Sequence, residues 1–159
     1  MERKIKYDIM KEIKERWSPR AFSDEKISRD DIYAIIEAAG LAPSCFNEQP
    51  WRFIIADTTE GLEKMQSILT SSNREWASRA PVLILLISYK KFADDDSNNR
   101  WNMFDTGTAW GFMSLEAKRR GLITHAMGGF SQKKAREAYD INDDYDVMAV
   151  VALGKIGDK

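Results

Sequence analysis

The stretch PVLILLIS at residues 81–88 decides the fold class of this chain. Six consecutive apolar residues follow the proline, and a run of this kind is typical of a strand that is covered on both faces of a sheet. The run is far shorter than the about 20 apolar residues that a membrane-spanning helix needs. A second run at residues 147–153 has the same character. We therefore expect a sheet whose central strands are covered by helices on both sides.

Amphipathic helices alternate with strands along the rest of the chain. Ser28 is placed to cap a helix, and the isoleucines at 32, 35 and 36 follow at helical spacing up to Gly40. The other expected elements are a helix at 5–17, a strand at 52–56, a helix beginning at Thr59, a long and largely buried helix at 104–120, an extended segment at 122–127 and a short helix at 131–139. Loops are expected at 41–50 and 89–102, the second of them polar and mobile. This alternation predicts an α/β or α+β fold in a single domain over residues 1–159.

Composition excludes several classes of function. The 159 residues carry 24 Lys+Arg against 25 Asp+Glu, so nothing in the net charge of −1 favours a nucleic acid or an anionic membrane as partner. One cysteine forbids an intramolecular disulfide, and no apolar segment follows the charged start, so we expect a cytoplasmic location. A single histidine and a single cysteine cannot form the common structural zinc sites, and no metal is expected.

Familiar catalytic motifs are missing from the sequence. It contains no Walker A motif, no G-x-G-x-x-G and no G-x-S-x-G elbow. Cys45 and His125 form a conceivable nucleophilic pair, and the acidic run at 94–99 a conceivable calcium loop, but neither has the local sequence such a site requires. An enzyme with this sequence would therefore take its reactivity from a cofactor.

Three short segments remain unusual, and each has two interpretations. RWSPR at 16–20 places two guanidinium groups around a hydroxyl, a set that suits a phosphate monoester or a solvent-exposed helix end. APSCFNEQPW at 42–51 is a rigid loop rich in amides, suited to a polar heterocycle or simply to linking a helix to a strand. MGGF at 127–130 lets backbone N–H groups approach a ligand closely, or forms an ordinary turn.

Together, in this order and spacing, the three segments resemble the flavin-dependent nitroreductase family. The resemblance extends to NREW at 73–76 before APVLI at 80–84, to the helix at 105–120 with Gly-Leu after it, and to VVALG at 150–154. It implies an α+β sandwich, with a small mixed or antiparallel sheet flanked by helices, and an intertwined homodimer with two FMN sites at its interface.

The resemblance also implies roles for particular residues. The residues that would bind the FMN phosphate and the nearby ribityl oxygens are Arg16, Trp17, Ser18 and Arg20. The loop that approaches the flavin from the other subunit contributes Pro43, Ser44, Cys45 and Asn47. Asn73 would pair with the pyrimidine edge of the flavin, and Gly128 and Gly129 would lie beside N5 and O4. No catalytic side chain is implied.

The function implied is that of an FMN-dependent oxidoreductase. It would pass electrons from NAD(P)H through flavin N5 to nitroaromatic, quinone or similar acceptors by a ping-pong mechanism. The alternatives are a non-catalytic flavin- or nucleotide-binding dimer, for sensing or storage, and a dimeric scaffold without cofactor. Two features depart from the family pattern: Cys45 replaces a second serine, and the sequence ends at Lys159, where many members continue with a basic segment. Lys155 and Lys159 are the candidate replacements for those cations.

Overall fold

The computed structural model describes residues 3–158. Its sheet contains the strands β1 (Trp51–Ala56), β2 (Val82–Tyr89), β3 (Ile123–Met127) and β4 (Tyr145–Gly154). The strand order is β1-β2-β4-β3, and each neighbouring pair is antiparallel. The helices are α1 (Lys11–Glu15), α2 (Arg29–Gly40), α3 (Thr59–Ile68), α4 (Ser71–Ala77), α5 (Asn102–Arg119) and α6 (Gln132–Tyr139). The expected α+β sandwich is confirmed, with an antiparallel sheet.

Strand β2 separates two hydrophobic clusters. Leu83 and Leu85 point into the first cluster with side chains of α3 and α6, whereas Ile84 and Leu86 point into the second with α2 and α5. Residues 82–88 of the strand are all buried. Successive side chains of a strand point to opposite faces, so a strand that is apolar at every position requires cover on both sides. Among residues 3–158, no helix is long and apolar enough to cross a membrane.

Polar contacts join helix α2 to helix α5. Ser28 Oγ caps α2 by accepting from the backbone N–H of Asp31 at 3.1 Å and donates to Asp31 Oδ2 at 2.7 Å. Arg120, just beyond α5, donates to Asp31 Oδ1 at 2.7 Å and to Glu116 Oε1 at 2.8 Å. These contacts fix the ends of the two helices that cover one face of the sheet.

The N-terminal helix is much shorter than predicted. The structure forms α1 only over Lys11–Glu15, and α1 contains no buried residue. Ile9, Ile13 and Trp17, which the sequence places on one helical stripe, are 42%, 43% and 51% exposed. A short helix depends on packing of its apolar face for stability, and within one chain this face is not covered.

Three other local predictions were incomplete or wrong. Helix α4 was not predicted, because its sequence SSNREWA has too few apolar residues to show a helical period. Residues 89–102, expected to form a mobile loop, are joined to the rest of the fold by two backbone donors: the Lys90 N–H donates to Asp144 O at 2.9 Å and the Ala93 N–H to Glu48 Oε2 at 3.1 Å. Phe104, for which the sequence favours a core position, is 70% exposed.

The contact between Asp31 and Arg120 predicts an acid-dependent loss of stability. The hydrogen bond from Ser28, followed by that from Arg120, lowers the pKa of Asp31 below its ordinary value. Because the folded pKa is lowered, the ionised carboxylate stabilises the fold above the unfolded pKa, and this stabilisation is lost as the pH falls through the folded pKa. Asp31→Asn should therefore lower the Tm at pH 7, and the difference from the parent should shrink below about pH 4.

Thermal unfolding followed by circular dichroism across this pH range measures the effect. Asp30→Asn is the matched control, since it removes a carboxylate from the same helical turn and leaves the Ser28 and Arg120 contacts intact. An undiminished Tm difference between parent and Asp31→Asn at about pH 3 would contradict the assignment.

Candidate functional site

A cavity of about 840 Å³ opens beside the extended segment 17–22. The residues of that segment line it together with Trp76, Arg79 and residues 156–158. The guanidinium groups of Arg20 and Arg79 are the cations that line it, and Asp158 is the anion. Arg16 lies next to the segment and donates to Ser18 Oγ at 3.2 Å. The cavity therefore combines cationic groups with aromatic surface.

The 17–22 segment is held at its C-terminal end by the last residues of the chain. Phe22 is 1% exposed and forms an antiparallel bridge with Ile156. The backbone N–H of Gly157 donates to Ala21 O at 3.0 Å. A Cβ at Gly157 would lie 2.5 Å from the backbone of Phe22, so this close approach requires glycine. The end of the chain is thus part of the cavity wall.

An aromatic stack supports the other side of the segment. The Phe22 and Trp76 rings stack with centroids 6.0 Å apart, and Trp76 lies 4.5 Å from the ring of His125. His125 Nδ1 is 2.9 Å from Pro19 O. Trp76, Arg79 and His125 were not among the predicted site residues. Trp76 was detectable, because it lies three residues after Asn73 on one helix and i, i+3 residues share a face.

Asn73 and Gly129 lie in direct contact. The Gly129 carbonyl accepts from Asn73 Nδ2, from Thr70 Oγ1 and from the Thr70 backbone N–H, each at 3.0 Å. A Cβ at Gly129 would be 2.5 Å from Asn73 Nδ2, whereas a Cβ at Gly128 would meet nothing within 4 Å. A side chain at 129 would therefore displace the Asn73 amide, whereas Gly128 has open space on the side where a side chain would be.

The predicted site residues form four groups: segment 16–20, the loop at 43–47, Asn73 and the glycine pair. Three of these groups come together at the edge strand β3. His125 of β3 contacts Pro19 in the 17–22 segment and Trp76 of α4. The same strand leads into Gly128 and Gly129, which contact Asn73 of α4. Segment 16–20 and the glycine pair therefore both lie near α4, the segment close to Trp76 and the glycines in contact with Asn73.

The fourth group, the loop with Pro43, Ser44, Cys45 and Asn47, lies at the opposite edge of the sheet. This loop leads into β1, and β2 and β4 separate β1 from β3. Three interstrand spacings amount to about 14 Å. A single chain therefore does not bring the loop together with the other three groups. Cys45 and His125, the conceivable nucleophilic pair, are separated in the same way.

The loop has a defined conformation of its own. The Cys45 backbone N–H donates to Asp105 Oδ2 at 3.0 Å, and Ser44 Oγ accepts from the Gln49 N–H at 3.0 Å. Gln49 Nε2 donates to Asn47 Oδ1 at 3.0 Å. Phe46 has a φ of 50° and is 87% exposed. A left-handed conformation is strained for such a residue, and strain of this kind is concentrated at functional sites.

The remaining charged candidates are engaged elsewhere. Lys155 forms an ion pair with Glu25, and Lys159 lies outside the described residues. In the acidic run, Asp96 is 2.9 Å from Lys91 Nζ, and this hydrogen bond raises the pKa of Lys91. Across residues 3–158, the His, Cys, Asp and Glu side chains form no group of three that could hold a metal ion.

Comparison with known proteins agrees with this architecture. A family model described as the nitroreductase family matches residues 13–75 and 66–155. An Archaeoglobus fulgidus protein, provisionally named an NADH dehydrogenase/NAD(P)H nitroreductase, is 33% identical over 153 residues, which cover 92% of this chain and 84% of the relative. The provisional NAD(P)H nitroreductase YdgI of Bacillus subtilis is 24% identical, over 96% of this chain and 90% of its own length.

Solved structures share the fold. A crystal structure described as an oxidoreductase containing FMN superposes with a TM-score of 0.93 at 33% identity, covering 98% of this chain and 81% of the other. A nitroreductase-like protein of Exiguobacterium sibiricum, solved in complex with FMN, has a TM-score of 0.80 at 22% identity, covering 98% and 91% of the two chains. The fold and site thus define an α+β oxidoreductase. The chain belongs to the nitroreductase family.

The contact between Asn73 and Gly129 predicts different effects for the two adjacent glycines. Gly129→Ala displaces the Asn73 amide and breaks its hydrogen bond, so the free energy of unfolding should fall by about 1–3 kcal/mol. Gly128→Ala, which adds the same methyl group in open space, should change it by about 0.5 kcal/mol or less. Urea unfolding measures both values, and equal losses in the two variants would contradict the role of Gly129.

Proposed function

We propose that this nitroreductase-family oxidoreductase binds FMN and transfers electrons from NAD(P)H to nitroaromatic, quinone or similar acceptors by a ping-pong mechanism. The observation that supports the proposal most directly is the cavity beside segment 17–22. Arg20, Arg79 and Trp76 are among its lining residues, and Trp76 belongs to the same helix as Asn73, whose amide contacts Gly129. Its volume of about 840 Å³ is within the usual range for sites of small ligands and cofactors.

The residues at the cavity fit the chemical groups of FMN. Arg20 and Ser18 line the cavity and Arg16 contacts Ser18 Oγ, so these side chains would supply the donors that a phosphate monoester needs, and Arg79 in the same lining would add a further cation. Planar guanidinium groups match phosphate oxygens bidentately. The rings of Trp17 and Trp76 supply apolar surface in the same cavity.

The Asn73 amide oxygen Oδ1 can accept a hydrogen bond from the edge of the flavin ring. Asn73 Nδ2 donates to Gly129 O, and this contact directs the side chain and leaves Oδ1 for a ligand donor. An amide oxygen accepts hydrogen bonds, so it is suited to the N3–H of a flavin pyrimidine ring. The proposed role of Asn73 is therefore to orient the ring through Oδ1.

FMN, when bound, would supply the hydride and electron chemistry, and the protein would supply binding and orientation. Cys45 and His125, the conceivable nucleophilic pair, lie at opposite edges of the sheet and are not assigned a catalytic role. Segment 16–20 would hold the phosphate, Asn73 would orient the ring, and the backbone at Gly128 and Gly129 would approach it. No side chain of this chain is assigned a covalent or proton-transfer role.

A homodimer would complete the site. The loop at 43–47 lies across the sheet from the cavity in its own chain, so it is placed to serve a second subunit. Large apolar side chains are exposed on the N-terminal residues, the loop and α5; those more than half exposed include Tyr7, Met10, Trp17, Leu41, Phe46, Met103 and Phe104. Extensive exposed apolar surface marks an interaction site.

The phosphate assignment predicts how one substitution affects two flavins. Arg20→Ala removes a charge-assisted hydrogen bond worth about 1.5–3 kcal/mol, so the Kd for FMN should rise about 10- to 100-fold. The affinity for riboflavin, which lacks the phosphate, should be unchanged. Quenching of flavin fluorescence measures both affinities.

Arg29→Ala is the control for this experiment, because Arg29 is an exposed arginine that forms an ion pair with Asp57 and does not line the cavity. This variant should bind both flavins as the parent does. If Arg20→Ala bound FMN as tightly as the parent, the phosphate assignment would be wrong.

Electron transfer distinguishes the enzyme from a non-catalytic flavin-binding dimer. NADH or NADPH added without oxygen should bleach the flavin absorption near about 450 nm on the timescale of turnover. Initial rates at several concentrations of nucleotide and of a quinone acceptor should then produce parallel double-reciprocal lines, as one pocket serves the two substrates in succession. Flavin that binds but stays oxidised would favour the sensor or storage alternative, and intersecting lines would contradict the ping-pong mechanism.

A further inference from the structure

His125 is the one histidine of the chain, and the proposed chemistry does not use it. It lies on the edge strand β3, half-buried, with its ring 4.5 Å from that of Trp76. Its Nδ1 is 2.9 Å from Pro19 O. A carbonyl oxygen only accepts hydrogen bonds, so Nδ1 carries the proton and donates. Both the neutral Nδ1–H tautomer and the protonated ring make this contact.

The hydrogen bond from His125 to Pro19 O differs from the other backbone hydrogen bonds near the proposed phosphate-binding segment. Upstream, the Arg16 N–H donates to Glu12 O; downstream, Ala21 O accepts from the Gly157 N–H. Between these points, within residues 3–158, the bond from His125 is the hydrogen bond that joins the backbone of residues 17–20 to the rest of the fold. Pro19 is itself buried and has no N–H to offer.

Pro19 lies between Ser18 and Arg20, the residues with the proposed phosphate donors. Fixing one carbonyl at the centre of the segment therefore sets the positions of both neighbours. A preformed site binds more tightly than one that must be ordered on binding, because the conformational entropy of the segment is already lost. The Trp76 ring, stacked in turn on Phe22, holds the imidazole in place for this bond.

We propose that His125 is a positioning residue that preorganises the 17–22 segment for the phosphate of the cofactor. The inference rests on the proposed function, and it concerns only the phosphate end of the ligand. It assigns His125 no part in electron transfer. The Nδ1–H donor, rather than the size or charge of the ring, is the group that acts.

The matched variants are His125→Asn, which retains a side-chain N–H near the position of Nδ1, and His125→Leu, which packs on Trp76 without a donor. In His125→Leu the Kd for FMN should rise about 5- to 10-fold, the effect of losing one hydrogen bond. The Kd for riboflavin should stay at the parental value, and His125→Asn should restore FMN binding. Equal weakening of both flavins, or parental FMN binding in His125→Leu, would overturn the inference.

A second measurement needs no flavin. Trypsin can cut the peptide bonds after Arg16 and Arg20, at the start of the 17–22 segment and within it. The peptide bonds after Lys133 and Lys134 on α6 are internal controls. In the flavin-free protein, His125→Leu should be cut several-fold faster at Arg16 and Arg20, while the cuts at Lys133 and Lys134 keep the parental rate. Mass spectrometry of the fragments measures each rate. Unchanged cutting at Arg16 and Arg20 would overturn the inference.

The two measurements separate this inference from the function on which it rests. If the parent bound no FMN, the proposed function would fail, and faster cutting in His125→Leu would still support the positioning of the segment by His125. If the parent bound FMN and His125→Leu behaved as the parent in both assays, the positioning role alone would be wrong.

Discussion

Strand β2 is buried on both faces and hydrogen-bonded along both edges, and the other elements are placed relative to it. Its register with β1 and β4 places Leu85 opposite both Ile54 and Val150. The alternation of its side chains then separates the two clusters that receive α3 and α6 on one face and α2 and α5 on the other. Loss of packing at β2 would therefore disturb both layers at once, since close-packed interiors transmit volume changes.

The candidate site depends on this framework through the edge strand β3. Strand β3 pairs with β4, and it carries His125 toward the 17–22 segment before it ends at the glycine pair. Helix α4 supplies Asn73 and Trp76 from the adjacent layer. The cavity lining therefore comes from three separate parts of the chain, namely segment 17–22, the residues from Trp76 to Arg79 and residues 156–158. The Asn73 amide, on the same helix as Trp76, contacts Gly129. Backbone hydrogen bonds and stacked rings hold the residues of this candidate site.

The remaining group of predicted site residues, the loop at 43–47, lies at the opposite edge of the sheet. The loop at 43–47 is braced by Asp105 at the start of α5 and by its own amides, yet Phe46 is almost fully exposed. The second subunit of the proposed homodimer would account for both facts, because the loop has a defined conformation and lies across the sheet from the cavity of its own chain. The same reasoning explains why the apolar stripe of α1 predicts burial that one chain does not provide.

The fold class, the two buried strands and the motifs of the family followed from the sequence, because apolar runs and helical spacing report local burial directly. The stripe at residues 5–17, by contrast, predicted a longer and better covered helix than a single chain stabilises. Tertiary structure alone decided that Arg79 and Trp76 line one cavity with segment 17–22 and that His125 contacts both Trp76 and Pro19, since these contacts join positions that are far apart in the sequence. It also decided that Gly129 is in close contact with Asn73 whereas Gly128 has open space beside it. A close approach between two elements depends on where each one packs.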